Sequence, residues 1–165
     1  MQILKFLGSV VVPAIGKFVI KDTLTETFNN VKIAWTNLGY EHLGKRFFGK
    51  VEEPSEETTF QSNRLLIKSF DDLIIPKLGG ESGVESRFSQ ISYLLNQQPN
   101  GVAGILTITD DADLNVFYVR DKNGVLCSMS VALNEAGWFV VIYSIKAPEK
   151  WYAGVTFISH FPSLP

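Results

Sequence analysis

The sequence predicts an α+β fold, in which a helical N-terminal part packs on one face of a C-terminal antiparallel meander of four or five strands. Two capping-box patterns with apolar stripes of helical spacing lie before residue 100, and the apolar period changes to two after residue 101. Helices followed by strands are typical of α+β domains. The length fits one domain over residues 1–165, with 1–100 mainly helical and 101–165 forming the sheet.

The first twenty residues carry only two charges, Lys5 and Lys17. We expect a buried helix here, kinked or interrupted at Pro13. The uncharged run over 6–16 is too short to span a bilayer, which takes about 20 apolar residues. A membrane-surface anchor and a signal peptide remain the alternatives for residues 1–20.

Both capping boxes predict amphipathic helices. Thr23-Leu24-Thr25-Glu26 opens the first, and its apolar stripe ends before Gly39. Ser82-Gly83-Val84-Glu85 opens the second, which ends at Pro99-Asn100-Gly101. The stripe residues recur every three or four positions: Leu24, Phe28, Val31, Trp35 and Leu38 in the first helix, and Val84, Phe88, Ile91 and Leu95 in the second.

Between these helices the pattern is less regular. Asp71 and Asp72 favour the start of a short helix that closes at Pro76 and Gly79-Gly80, because acidic groups complement the positive end of the helix dipole. Residues 64–68 are its lead-in or a short strand. Residues 52–59 are acidic and contain a proline, which indicates an exposed loop.

Alternating apolar residues in the last third predict strands. The predicted strands cover 114–120, 125–133, 138–145 and 155–160, with 102–109 as a candidate fifth. The segment 138–145 is apolar at nearly every position, which predicts a central strand covered on both faces. Asp121-Lys122-Asn123-Gly124 is a hairpin turn, because Asn-Gly suits positive φ. Ser128 and Ser130 are expected on the face nearer solvent.

Composition and charge exclude several classes of protein. With 45% hydrophobic residues the chain can bury a core, which excludes disorder. The net charge of −2 gives no driving force for general nucleic-acid binding. The lone Cys127 cannot form an intrachain disulfide, so we expect a cytoplasmic protein and an inert, buried thiol.

The sequence predicts neither a metal site nor a cofactor. Asp111-Ala-Asp113-Leu-Asn115 matches the opening of an EF-hand loop, but Val116 and Lys122 stand where glycine and glutamate are required. The two histidines, His42 and His160, have no ligands at metal spacing. A hydrolase-like enzyme that uses His160 or the Asp110–Asp113 cluster remains an alternative.

Two segments are candidate binding sites. Lys45 and Arg46 lie among aromatic residues in 42–50, directly before an acidic stretch. Lys150, Trp151 and Tyr152 lie in the connection before the last strand, and Trp and Tyr are common at interface hot spots. The alternative for Trp151 is that it folds back over the core, pinned by Pro148.

These observations favour a non-enzymatic interaction or binding domain with a protein partner. The second hypothesis is a small-molecule or lipid-binding domain, with an apolar pocket between helices and sheet lined by Phe88, Trp138 and Tyr143. The hydrolase-like enzyme is the third. The sequence predicts no particular oligomeric state.

Overall fold

The computed structural model describes residues 1–28, 31–99, 101–108, 113–145 and 150–160. Strands dominate this part of the chain. In chain order they are β1 (Leu4–Val12), β2 (Phe18–Val19), β3 (Thr27–Phe28), β4 (Val31–Thr36), β5 (Val51–Glu52), β6 (Thr58–Leu65), β7 (Ser69–Phe70), β8 (Asn115–Arg120), β9 (Leu126–Asn134), β10 (Gly137–Ser144), β11 (Lys150–Trp151) and β12 (Thr156–His160).

Eight of these strands form one mixed sheet in the order β1-β6-β12-β8-β9-β10-β4-β3. The β12–β8 and β10–β4 pairs are parallel, and the other neighbours are antiparallel. The four strands from the C-terminal half lie together in the centre, and two strands from the N-terminal half flank them on each side. The predicted fold class is therefore wrong, because the N-terminal half supplies half of the sheet rather than a helical layer.

Short helices cover both faces of the sheet. They are two 3₁₀ helices, η1 (Asp22–Thr25) and η2 (Asn37–Gly39), and four α-helices, α1 (Glu41–Phe47), α2 (Asp71–Lys77), α3 (Gly80–Val84) and α4 (Phe88–Gln97). Successive residues of a strand point to opposite faces. Phe117 packs in a cluster with α4, whereas its neighbour Tyr118 packs in a second cluster with α2 and α3.

The N-terminal segment is a strand at the edge of the sheet, so the predicted helix is wrong there. β1 pairs with β6, and the register shifts between Phe6 and Gly8, where Leu7 bulges. Phe6 and Val11 are exposed. Within the described ranges, no helix is long and apolar enough to cross a bilayer.

The predicted helix from Leu24 to Leu38 is also wrong. The segment forms η1, β3, β4 and η2, and residues 29 and 30 lie outside the described part. Ile33 is buried, whereas the stripe residue Trp35 is 43% exposed. The Asn37 side chain donates to Ile142 O at 2.7 Å and accepts from Ile142 N at 2.9 Å. This amide extends the parallel pairing with β10.

The second capping box does not cap a long helix. Residues 80–97 form α3 and α4, separated by an extended break at 85–87. The buried Glu52 carboxylate accepts from the backbone amides of Phe88 at 2.8 Å and Ser89 at 2.9 Å. The amides of a first helical turn lack partners within the helix, so this distant acid caps α4. The predicted exposed loop over 52–59 is wrong at both ends, because Glu52 is buried in β5 and β6 begins at Thr58.

The positions of four strands predicted in the last third are confirmed, but β10 alternates between buried and less buried residues rather than being covered on both faces. The strands at 114–120, 125–133, 138–145 and 155–160 correspond to β8, β9, β10 and β12. Gly124 has a φ of 76°, and the Asp121 carboxylate accepts from the amides of Asn123 and Val125, both at 2.9 Å. The predicted short helix is α2, which continues through Pro76. The candidate strand over 102–109 is absent from its described part, 102–108, and Ser128 and Ser130 are buried.

Candidate functional site

A cleft of about 690 Å³ lies between the β1–β6 strand pair and the segment 103–108. We call it the β1–β6 cleft. Its side chains are mainly apolar, and its polar side chains include Ser62 and Arg64. This volume falls in the range of about 300–1,000 Å³ that is typical of small-molecule sites.

The floor of the cleft follows from the strand register. Gly8 lies opposite Ser62, and Lys5 lies opposite Arg64. A Cβ atom added at Gly8 would meet no atom within 4 Å, so the absent side chain leaves open space directly beside Ser62. The glycine in β1 therefore helps to keep the cleft empty.

The segment 103–108 forms one wall of the cleft. The buried side chain of Gln98 holds this wall in place. Its Nε2 donates to Val102 O at 2.9 Å and to Leu106 O at 3.1 Å, and its Oε1 accepts from Leu106 N at 2.9 Å. A Cβ atom at Gly104 would lie 2.5 Å from the Gln98 amide, so only glycine allows this close approach.

The far end of the wall is fixed by a second buried amide. Asn115 Oδ1 accepts from Thr107 N at 2.7 Å, and its Nδ2 donates to Thr107 O at 2.9 Å. The hydroxyls of Thr107 and Thr156 are 3.1 Å apart. The segment 103–108 forms no strand, and these side-chain bonds take the place of strand pairing. Contacts within the chain therefore set the shape of the cleft.

Two polar atoms at the cleft have no hydrogen-bond partner among the residues that the structure describes. Ser62 Oγ and Arg64 Nε are both buried and unpaired, and the Ser62 residue is only 1% exposed. A buried donor without a partner costs about 1–3 kcal/mol. Unpaired buried groups are rare in folded proteins, and the described residues hold three more, in Ser55, Ser92 and His160. Of the five, Ser62 and Arg64 are the two that line this cleft.

A second cleft, of about 670 Å³, lies beside α2 and α3, and we call it the α2–α3 cleft. The buried Asp71 lines it, and its Oδ1 accepts from Trp151 Nε1 at 2.7 Å and from the Tyr118 hydroxyl at 2.5 Å. Burial raises the pKa of Asp71 above its ordinary value, and the two hydrogen bonds only partly oppose this. Burial, followed by the Asp71 charge, also raises the pKa of Tyr118.

The predicted binding residues at 150–152 have different environments. Trp151 is only 5% exposed, in agreement with the alternative that it folds over the core, whereas Tyr152 is 63% exposed. Lys68 Nζ lies 4.4 Å from the centre of the Tyr152 ring, and Lys150 Nζ lies 5.2 Å from that of Phe70. Pro148, the proposed pin, is outside the described residues.

The other two predicted binding residues lie on α1. Lys45 forms an exposed ion pair with Glu41. Arg46 Nε donates to Asp121 Oδ2 at 2.9 Å, and Arg46 Nη2 donates to Cys127 Sγ at 3.1 Å. Burial raises the pKa of the Cys127 thiol despite this guanidinium. Arg46 therefore joins α1 to the β8–β9 turn, while Lys45 faces solvent.

The hydrolase-like candidates are only partly described. The His160 ring lies 4.6 Å from that of Phe60, and burial lowers the pKa of His160, although the Glu85 charge opposes the shift. Asp110 and Asp111 lie outside the described residues. In the part of the chain that the structure describes, no three His, Cys, Asp or Glu residues are grouped to hold a metal ion.

The predicted apolar pocket is not formed by its three named residues. Phe88 and Trp138 are fully buried in the cluster under α4, whereas Tyr143 is 46% exposed. Ile142, the neighbour of Tyr143 in β10, points into that cluster, so Tyr143 points to the opposite face. The lining residues of the β1–β6 cleft were not predicted from the sequence.

The chain matches no protein-family model, no curated protein and no solved structure. The geometry of the two clefts is therefore the basis for the functional proposal.

Proposed function

We propose that this protein is a binding domain that holds one small, largely apolar molecule in the β1–β6 cleft. The observation that supports this most directly is the unpaired Ser62 Oγ, buried at the floor of a cleft of ligand size. A bound molecule with a polar group would supply the missing hydrogen bond.

The lining supports an apolar ligand. Leu7 and Val10 from β1 and Ile105, Leu106 and Ile108 from the wall provide apolar contact. Each Å² of apolar surface that a ligand buries contributes about 25 cal/mol before the cost of association. Apolar walls with a few polar groups are the usual composition of small-molecule sites.

The rigidity of the wall also supports binding. Gln98 and Asn115 fix both ends of the segment without a ligand present. A site that is already ordered loses less conformational entropy when the ligand binds.

The protein-interaction hypothesis stays a prediction. Among its five residues, Lys45, Lys150 and Tyr152 are exposed, while Trp151 is buried and Arg46 is held by Asp121. The five residues belong to two separate segments, α1 and 150–152, with different contacts. This arrangement favours the cleft over those residues as the principal site.

Filling the cleft with a side chain tests the proposal. Gly8→Leu places a side chain in the open space beside Ser62, and Gly16→Leu is the matched control, because Gly16 is exposed and a Cβ atom there also meets nothing. We expect saturable binding of octanoate or 1-octanol to the wild type by isothermal titration calorimetry. Gly8→Leu should weaken that binding at least about tenfold, and Gly16→Leu should not change it.

Circular dichroism should show that both variants keep the wild-type strand content. Failure of both probes to bind the wild type would contradict the proposal. Equal affinities of Gly8→Leu and Gly16→Leu would contradict it as well, because the molecule would then bind elsewhere.

A further inference from the structure

Two cations face each other across the β1–β6 pair: Arg64, which lines the cleft, and the exposed Lys5 beside it. Lys5 lies directly opposite Arg64, and residues in that position point to the same face of a sheet. Like charges directly opposite each other destabilise a strand pair. Neither residue forms an ion pair within the described ranges. The fold alone does not compensate for this repulsion.

The unpaired groups of the cleft can serve an anion. Arg64 Nε is a donor only, and the Ser62 hydroxyl can donate. None of the described residues that line the cleft is acidic. An anion placed near Arg64 would accept from these donors and offset the repulsion between the two cations, whereas a cation would add to it.

We infer that the ligand of the β1–β6 cleft is an apolar molecule with a carboxylate group, bound by Arg64 and Ser62, with the charge of Lys5 nearby. This inference rests on the proposed function and specifies the class of its ligand. The planar guanidinium fork matches the geometry of a carboxylate. The tail of the ligand lies against the apolar residues of the wall and of β1.

The contact with Thr156 shows why Arg64 is available for a ligand. Thr156 is the neighbour of Arg64 on β12, but its hydroxyl lies 3.1 Å from that of Thr107. The polar side chain beside Arg64 is therefore already engaged by the wall. Arg64 Nε has no hydrogen-bond partner among the described residues.

The test compares two probes that differ in the head group. Octanoate carries the carboxylate, and 1-octanol has the same length without the charge. We expect wild-type protein to bind octanoate at least about tenfold more tightly than 1-octanol, because hydrogen bonds to charged groups contribute more than neutral ones.

Variants then assign the head-group site. Arg64→Gln should weaken octanoate binding roughly 10- to 100-fold and change 1-octanol binding less than about threefold. Lys5→Gln should weaken octanoate binding by a smaller factor. Lys32→Gln is the matched control, because Lys32 is an exposed lysine on β4, at the far side of the sheet; it should leave both affinities unchanged.

The outcomes separate this inference from the function on which it rests. Equal binding of both probes, sensitive to Gly8→Leu but not to Arg64→Gln, would overturn the carboxylate assignment and leave the binding function intact. Loss of 1-octanol binding in Arg64→Gln to the same extent as octanoate would also overturn it. If neither probe binds the wild type, the proposed function itself fails.

Discussion

The two clefts of this protein have nearly equal volumes, about 690 and 670 Å³, but opposite polar chemistry. In the α2–α3 cleft, the buried Asp71 accepts from both Tyr118 and Trp151. In the β1–β6 cleft, Ser62 Oγ and Arg64 Nε have no partner. Volume alone does not distinguish these two sites.

The difference shows which buried polar groups belong to the fold and which are available for a ligand. A buried group that is fully paired stabilises the native packing, and its removal leaves other groups unpaired. A buried group without a partner lowers the stability of the fold, and it obtains a partner only when a ligand binds. This contrast supports a structural role for Asp71 and the binding role proposed for the β1–β6 cleft.

The largest expected effect is at Asp71. Asp71→Ala leaves the Tyr118 hydroxyl and the Trp151 indole N–H buried without an acceptor, so the free energy of unfolding should fall by about 3 kcal/mol. Urea denaturation measures this change. Asp72→Ala is the control, because Asp72 is an exposed neighbour in the same helical turn, and it should change stability by less than about 1 kcal/mol. Similar losses in the two variants would show that Asp71 is not the anchor.

A smaller effect is expected in the pH dependence of stability. Asp71→Asn keeps an acceptor for both donors and removes the titration. Because the pKa of Asp71 is raised in the folded state, the unfolded chain loses this proton first as the pH rises above about 4. The stability contribution of Asp71 is therefore full below that pH and is lost as the pH rises through the raised pKa.

The free energy of unfolding of the wild type, minus that of Asp71→Asn, should accordingly decrease with rising pH above about 4. Subtracting the free energy of unfolding of the variant cancels the contributions of groups whose effect on stability has the opposite pH dependence, such as Asp121. For that carboxyl, burial favours a higher pKa, but bonds from Val125 and Arg46 hold it below its ordinary value. A difference that stays flat or increases with pH would contradict the environment described for Asp71.

The smallest effect is expected at Ser62. Its hydroxyl is unpaired, so Ser62→Ala should leave the free energy of unfolding unchanged or raise it by up to about 1 kcal/mol. Ser69→Ala is a matched control, because the buried Ser69 donates to Ile67 O at 3.1 Å, and its loss should cost about 1 kcal/mol. A clear loss of stability in Ser62→Ala would mean that Ser62 has a partner in the folded protein.

Where the fold could be predicted, neighbouring residues in sequence are also neighbours in space. β8 and β9 are joined by a turn whose bonds run from Asp121 to Asn123 and Val125, and β9 and β10 are joined by a similarly short connection. Alternation over such segments predicts a strand directly, although β8 and most of β9 are buried on both faces rather than half-buried. The start of α2 at Asp71 also follows from local chemistry.

The first helix was predicted wrongly because one apolar pattern fits two periods. Phe28 and Val31 are buried in either structure, but Ile33 and Trp35 distinguish them. In β4, Ile33 is buried and Trp35 is exposed, because the register with β10 shifts at Ala34 and places Trp35 on the other face. The β-branched residues of Val31-Lys32-Ile33 favoured a strand, and the capping box outweighed them in the prediction.

None of the candidate site residues from the sequence lines the β1–β6 cleft. Gly8, Ser62 and the segment 103–108 are distant in sequence, and no motif joins them. In the sequence, Gly8 is one glycine within an apolar run, and only the pairing of β1 with β6 shows that it lies opposite Ser62. A polar atom becomes a candidate ligand contact only when packing buries it and leaves it unpaired.

The sequence by itself determined the hairpin at Asp121–Gly124, the strands on either side of it and the start of α2, because their hydrogen bonds and burial patterns involve near neighbours. Only the tertiary structure decided that β1 is an edge strand, that β4 lies parallel to β10, and that Glu52 caps α4. The physical reason is that a backbone or side-chain donor can form a hydrogen bond with any acceptor of suitable geometry. When that partner is far along the chain, the choice depends on the packing of the whole sheet.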